Sequence, residues 1–274
     1  MTINCKGRLI DLSRPKIMGI LNVTPDSFFD GGKYSAPESL LTHAATMLEQ
    51  GATFIDLGAY SSRPNAAFVS ETEELDRIIP IIELLLNAFP EIILSIDTFR
   101  SEVAKQCIEA GAALVNDISA GLLDPKMLET VGQLKVPYIM MHMRGTPQTM
   151  QQFTHYDNLG KDLLFYFSER LAQANAHGIH DIIIDPGFGF SKTLAQNYEL
   201  MNHLELFNVL ERPLLVGISR KSMIYKLLET TPQQALNGTT VLNTLALQKN
   251  ANILRVHDVK AAMECLTIVN QLNA

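Results

Sequence analysis

Residues 182–192 read Ile182-Ile183-Ile184-Asp185-Pro186-Gly187-Phe188-Gly189-Phe190-Ser191-Lys192. Three β-branched residues in succession, without alternation of apolar and polar positions, suit a parallel strand covered on both faces, and Asp185 ends it. Seven further runs of this kind occur at 17–21, 53–57, 92–96, 113–115, 138–141, 214–218 and 253–256, each followed by a segment of helical periodicity. Eight strand–helix units spread over 274 residues predict an α/β fold, a (β/α)8 TIM barrel. A doubly wound open sheet uses the same units, but eight of them along the whole chain favour closure. Residues 3–10 read as a short N-terminal β-hairpin that plugs the N-terminal end of the barrel. No linker or low-complexity run divides the chain, which predicts one domain over 1–274.

The intervening segments carry helix signals. Pro37 suits a first turn, Leu40, Leu41, Ala44, Ala45 and Leu48 share one face, and Gly51 stops that helix. Ser70 and Glu73 have capping-box spacing, and Ser101 reads as the cap of a segment ending at Gly111. Segments 159–176, 237–251 and 258–272 complete the alternation.

Hydrophobic residues make up 47% and charged residues 19% of the chain, an ordinary globular composition. Cys5, Cys107 and Cys265 are odd in number and far apart, so no disulfide framework or Cys-x-x-Cys motif forms locally, and a reducing cytoplasm is expected. With 22 Lys and Arg against 29 Asp and Glu, the net charge of -7 provides no global basic field for nucleic acid. The first eight residues lack the apolar run of a signal peptide. The greasiest helical stretch, 78–89, is interrupted by Pro80 and Glu83 and falls short of the ~20 apolar residues of a membrane span.

Chemistry collects where the runs end. In chain order these positions hold Asn22, Asp56, Asp97, Asn116 with Asp117, His142, Asp185, Ser219 with Lys221, and Arg255 with His257. In a (β/α)8 barrel they converge on the C-terminal mouth, where active sites of this fold sit. A lone Asp after a strand is commonly a helix cap, but caps do not explain eight such endings. Several motifs are incomplete. Gly187-Phe188-Gly189 lacks the third glycine of a dinucleotide loop, 219–222 does not complete a nucleophile elbow, and no Walker loop occurs. No histidine pair has the i, i+4 spacing of a helical zinc site, and His177 and His180 are expected in solvent.

The remaining groups form a usable set. Arg255 and His257, two apart on a strand end, can point the same way and bind an anion such as phosphate. Asn22 offers a neutral oxygen, the single protein ligand that Mg2+ accepts when phosphates and waters supply the rest. Asp97, Asn116, Asp185 and Lys221 suit the edge of a flat heterocycle rich in N–H and C=O groups. The same residues could also form a buried ion-pair cluster that stabilises the mouth.

Read as whole motifs, the chain resembles the dihydropteroate synthase family of pterin-binding barrels. Residues 17–32, IMGILNVTPDSFFDGG, and 53–64, TFIDLGAYSSRP, resemble its first two loop signatures. Ser-Ile-Asp-Thr at 95–98, Val-Asn-Asp-Ile at 115–118, Met141-His142-Met143, 185–190, 217–221 and 255–258 follow in order. The resemblance implies an enzyme that joins 4-aminobenzoate to 6-hydroxymethyl-7,8-dihydropterin diphosphate, giving 7,8-dihydropteroate and diphosphate with Mg2+ as cofactor. It implies a pterin site of Asp97, Asn116, Met141, Asp185, Phe190 and Lys221. Asn22, Arg255 and His257 would hold the diphosphate, Asn22 through Mg2+. Phe28, Ser62, Arg63, Pro64, Phe190, Ser219 and Lys221 would form the 4-aminobenzoate pocket, with Asp30 in the ordered first loop. Asn22, Asp97, Lys221 and Arg255 would carry the chemistry, an SN1-like departure of diphosphate that needs no protein nucleophile.

The resemblance also implies a homodimer through late barrel helices. One departure is local: many members read Gly-Glu-Ser-Thr-Arg-Pro-Gly where this chain has Ala59-Tyr60-Ser61-Ser62-Arg63-Pro64-Asn65. That change bears on affinity for 4-aminobenzoate and its sulfonamide mimics. Two alternatives share the barrel. A methyltetrahydrofolate:corrinoid methyltransferase would use Asp97, Asn116 and Asp185 but neither Asn22 with Mg2+ nor the 61–64 loop. A non-catalytic pterin-binding barrel would have no need of intact Asn22, Arg63, Lys221, Arg255 and His257.

Overall fold

The computed structural model describes residues 1–23, 36–60 and 69–272. Strands β1 (Thr2–Cys5) and β2 (Arg8–Asp11) pair antiparallel around a turn at Lys6 and Gly7, both with positive φ. This is the expected hairpin. Next come β3 (Lys16–Asn22), β4 (Phe54–Gly58), β5 (Leu94–Asp97) and β6 (Leu114–Asp117). They are followed by β7 (Tyr138–Met141), β8 (Ile182–Asp185), β9 (Leu215–Val216) and β10 (Ile253–Val256).

The eight lie parallel in the order β8-β7-β6-β5-β4-β3-β10-β9. The ends of that order meet, because Ile184 bridges Leu214 and donates its N–H to Pro213 O at 2.9 Å. Closure excludes the open doubly wound sheet, which keeps two free edges. Strand β9 is shorter than the apolar run 214–218, and a tight turn follows it, in which the Lys221 N–H donates to Ile218 O at 3.1 Å.

Helices cover the outside: α1 (Ala36–Glu49), α2 (Glu71–Ala88), α3 (Ser101–Glu109), α4 (Met127–Leu134) and α5 (Leu159–Ala176). The remainder are α6 (Leu194–Asn202), α7 (Ser222–Tyr225), α8 (Leu236–Gln248) and α9 (Val259–Leu272). Ser70 caps α2 as expected, its side chain accepting from Glu73 N. Pro80 lies inside α2 without ending it, on the exposed face where a missing N–H is cheap. Ser101 is not a cap. It is the first residue of α3, and its N–H is taken instead by Asp124 Oδ2 at 2.7 Å, an acceptor supplied by the loop after β6. No helix among the described residues is long and apolar enough to cross a membrane.

The period of two along each strand sorts side chains between two cores. Ile17, Ile55, Leu57, Leu94, Ile96, Val216 and Leu254 face outward and bury against Ala44, Met47, Ile78, Ile82, Leu85, Ala246 and Ala262 of the helices. Each fully buried Leu or Ile contributes about 1.5–3 kcal/mol. Met18, Phe54, Leu114, Ile139, Ile183, Leu215 and Ile253 fill the barrel floor, sealed from below by Ile3, Cys5, Ile10 and Leu12 of the hairpin segment. Two residues further along the same inward rows stand Asp56, Asn116, Met141, Asp185 and Arg255, and β5 adds Asp97. The fold thus places an apolar floor beneath a charged layer that opens only towards the C-terminal ends of the strands.

Candidate active site

Arg255 is the hub of that layer. Its Nε donates to Asp56 Oδ2 at 2.5 Å and its Nη2 to Asp97 Oδ2 at 2.6 Å. Asn116 Nδ2 donates to the same Asp56 oxygen at 3.0 Å, while Asp56 Oδ1 is buried with no partner among the described residues. Two carboxylates therefore share one guanidinium, which leaves an excess of negative charge in a low-dielectric setting. Burial pushes Asp97 up to about 7; Arg255 opposes that rise and Asp56 reinforces it. For Arg255 burial disfavours the charge, yet Asp56 and Asp97 hold its pKa above the ordinary value.

Across the mouth, Asp185 Oδ1 accepts from Gly187 N at 2.8 Å. Burial raises its pKa, opposed first by Lys221 and then by the Gly187 N–H. Lys221 Nζ donates to Phe188 O at 2.5 Å and stands 4.7 Å from the centre of the Phe190 ring. Burial lowers Lys221 to about 8, with Asp185 pulling the other way. Met141 joins Ile118, Met143 and Met150 in an apolar patch against which Phe99 and Phe190 pack. A flat ring lying on this patch would meet acceptors, an amide and an ammonium at its rim.

The remaining expected positions divide. Asn22 ends β3, exposed at the mouth. Ser219 is buried, and its hydroxyl lies 3.1 Å from both His257 N and His257 Nδ1. Arg255 and His257, expected to serve one anion together, are held by different partners, and Arg255 is already paired with two acids. Asp56 does not end its strand but sits in the middle of β4, pointing in. Asp117 does not face the mouth. It lies one residue beyond inward-facing Asn116, so it turns outward, accepting from Tyr138 Oη, Ser119 N and Oγ, and Gly121 N at 2.6–2.7 Å. His142 likewise turns away, its ring edge-on to Tyr166 of α5 with centroids 4.7 Å apart. His177 and His180 are exposed, as expected. Phe28, Asp30, Ser61, Ser62, Arg63 and Pro64 lie outside the described residues.

Lys192 and Glu74 are among the buried charged groups that the motif reading passed over. Lys192 lies behind the 187–190 turn, where its ammonium meets two carbonyls and His142. Glu74 of α2 accepts from Thr98 Oγ1 at 2.8 Å and pairs with Arg100, whose Nη2 donates to Val69 O at 2.7 Å. Arg100 also lies over Tyr60 and Phe99, 5.4 and 5.3 Å from their ring centres, and Gln148 Nε2 donates to Tyr60 Oη at 2.9 Å. The residue that departs from the family pattern is thus built into an aromatic–arginine wall beside the mouth. A lone acid inside an otherwise apolar run was the available signal for the inward-facing Asp56, whereas Lys192 and Glu74 lie in polar stretches that carry none.

A closed barrel whose mouth carries an aromatic and methionine patch rimmed by buried Asp, Asn, Lys and Arg defines an enzyme for a polar heterocycle. The family model for pterin binding enzymes matches residues 18–257. The dihydropteroate synthase of Escherichia coli strain K12 is 43% identical over 271 residues, 98% of this chain and 95% of that protein. Among solved structures, Yersinia pestis dihydropteroate synthase with a sulfonamide drug complex aligns with a TM-score of 0.93 and 45% identity, covering 100% of this chain and 99% of that one. The Xanthomonas albilineans enzyme with 4-aminobenzoic acid aligns at 0.92 and 40% identity, over 100% and 98% of the two chains. The chain belongs to the pterin-binding enzymes and, within them, to the dihydropteroate synthase family of transferases.

Proposed function

We propose that the protein condenses 6-hydroxymethyl-7,8-dihydropterin diphosphate with 4-aminobenzoate, releasing diphosphate and 7,8-dihydropteroate. The observation that carries this reading is the inward layer of Asp56, Asp97, Asn116, Asp185, Lys221 and Arg255 over an apolar floor. Asp97, Asn116 and Asp185 offer acceptors and an amide to the pterin rim, with Met141 and Phe190 against its faces. Buried carboxylates beside the ring favour the positive charge that develops on the exocyclic methylene as diphosphate departs. Arg255 and His257 bind the leaving group, and Lys221 and Ser219 reach towards the 4-aminobenzoate side. Neutral arylamine attacks, so no strong general base is required.

Asn22 fits a divalent cation that draws most of its ligands from diphosphate and water. Its amide is exposed at the mouth, and no group of three His, Cys, Asp or Glu among the described residues builds a rival metal cage. Mg2+ bound there would supply charge neutralisation for the diphosphate. Purified protein given both substrates and Mg2+ is expected to form dihydropteroate and diphosphate stoichiometrically, and to form neither when one substrate is withheld. Absence of product at saturating Mg2+ would refute the assignment, while unchanged turnover in excess chelator would refute the role given to Asn22.

A homodimer through the late helices accompanies this reading. Leu228, Val241, Leu245 and Ile268 are exposed on or beside α7, α8 and α9, a concentration of apolar surface unusual for a solvated face. Sedimentation equilibrium is expected to return twice the 30.4 kDa chain mass; a monomer at micromolar concentration would reject it. Cytoplasmic residence fits three buried, unpaired cysteines.

A further inference from the structure

The most unusual charged group outside the mouth's hub is Lys192, only 3% exposed. An ammonium has three protons and no acceptor capacity, and each proton here has a matching acceptor. The Nζ atom lies 2.9 Å from Gly187 O, 3.0 Å from Phe190 O and 3.1 Å from His142 Nδ1. The two carbonyls are the ends of one tight turn, since the Phe190 N–H also reaches Gly187 O at 3.1 Å. His142 belongs to the end of β7, and its own N–H donates to Asp185 O at 3.0 Å. One ammonium therefore ties the 187–190 turn to the neighbouring strand from behind.

The groups on the front of that turn are those that face the mouth. Gly187 N supports Asp185 Oδ1, Phe188 O receives Lys221, and the Phe190 ring lies beneath the Lys221 ammonium. We infer that Lys192, acting with His142, is a positioning residue that fixes Asp185, Phe190 and Lys221 for the pterin half of the reaction. This rests on the functional reading above. The ammonium touches no reacting atom; it sets the turn that carries the groups which do.

The same geometry assigns a tautomer. While Lys192 is protonated it has no lone pair, so His142 Nδ1 accepts from it, which puts the proton of a neutral ring on Nε2. Burial, Lys192 and Arg144 all depress the His142 pKa well below its ordinary value. Burial lowers Lys192 to about 7 against the pull of Asp185, with Lys221 and Arg144 adding to the fall. Tyr166 and Tyr156 pack their rings beside His142, and neither is charged in this range.

The test separates the two substrates. In Lys192→Met the chain stem remains and the three donors go. Calorimetric binding of 6-hydroxymethylpterin is expected to weaken on the order of 10- to 100-fold, the range for loss of a group that supports a binding residue from behind. KM for 4-aminobenzoate should rise several-fold less than that, because Lys192 reaches that side only through Phe190 and Lys221, whereas Ser219 is held by His257. His142→Gln, which keeps a side-chain acceptor for the ammonium, should restore most of the pterin affinity lost in His142→Leu. If K192M fails to fold, the His142 pair answers the same question with one acceptor at stake. Equal pterin affinity in wild type and K192M, or equal loss for both substrates, would overturn the assignment, as would H142Q and H142L behaving alike. If wild type itself binds no pterin, the functional reading falls and this assignment falls with it.

Discussion

Replacing Arg255 by Met should lower kcat/KM by on the order of a thousandfold and destabilise the protein in a pH-dependent way. The catalytic part follows from removing the fixed cation at the mouth, since loss of one preorganised charge-stabilising donor costs about 10²–10³ in rate. The stability part follows from what remains. Asp56 and Asp97 would keep their burial and lose the guanidinium that both contact. Breaking a buried pair from one side costs about 3–5 kcal/mol, because the surviving charge is left uncompensated. Asp97 has an escape through protonation, and that is where pH enters.

In the parent protein the Asp97 carboxyl is raised from 3.8 to about 7, burial being the main cause. Between those values the folded state holds a proton that the unfolded chain has released. The associated stability is complete below 3.8 and disappears as pH rises through the interval to about 7. Without Arg255, which opposes the rise, the upper limit moves further up. The difference between R255M and parent should therefore be smaller near pH 5, where only the lost contact with Asp56 remains, and grow above pH 7, where the parent can ionise Asp97 beside its cation and the variant cannot. Urea titrations at pH 5.5 and 8.5 measure this directly, and a gap that does not change with pH would show that Asp97 is not the responding group. Adding Asp97→Asn to R255M should recover part of the alkaline loss, and the double-mutant cycle would report the coupling.

The barrel was legible because parallel strands buried on both faces are written as unbroken apolar runs, and 138–141 and 182–184 show this plainly. The mouth was legible for a related reason. A charged residue just past such a run has few places to go except the open end. What could not be read was which way each group points. Asn116 and Asp117 are adjacent, so a strand must send them to opposite faces; one became part of the charged layer and the other an acceptor for Tyr138 under the helices. The central ion pairs join residues 199 and 158 positions apart, a separation at which no local pattern exists. Ser101 shows the same limit on a smaller scale. Its sequence context suits a cap, yet the carboxylate of Asp124, 23 residues on, reaches the helix end first. Lys192 carried no local signal, because nothing in its neighbours reveals that two backbone carbonyls turn towards it.

The largest effect from the smallest change is expected at Gly187. Its φ of +73° lies in the left-handed region, and a Cβ built there would sit 2.1 Å from the backbone oxygen of His142. The left-handed backbone alone costs an alanine about 1–2 kcal/mol. The contact cannot be relieved by rotating a side chain, because the obstructing atom is a main-chain carbonyl oxygen just past the end of β7, so the 187–190 turn must lift away from it. Doing so withdraws the N–H from Asp185, one acceptor from Lys192 and the platform beneath Lys221 together. Gly187→Ala should cost about 3–5 kcal/mol, in the upper tail for single substitutions, and lower kcat/KM by more than about a hundredfold. Gly189→Ala is the control: φ is +81°, but the new Cβ would meet Lys221 Cδ at 3.3 Å, the stem of a flexible side chain. That variant carries the conformational cost without the backbone collision and should lose only about 1–2 kcal/mol. Chemical denaturation of the two proteins side by side separates the terms. Equal losses would mean that the close approach of the turn to His142 contributes nothing, and that the left-handed conformation alone requires glycine at both positions.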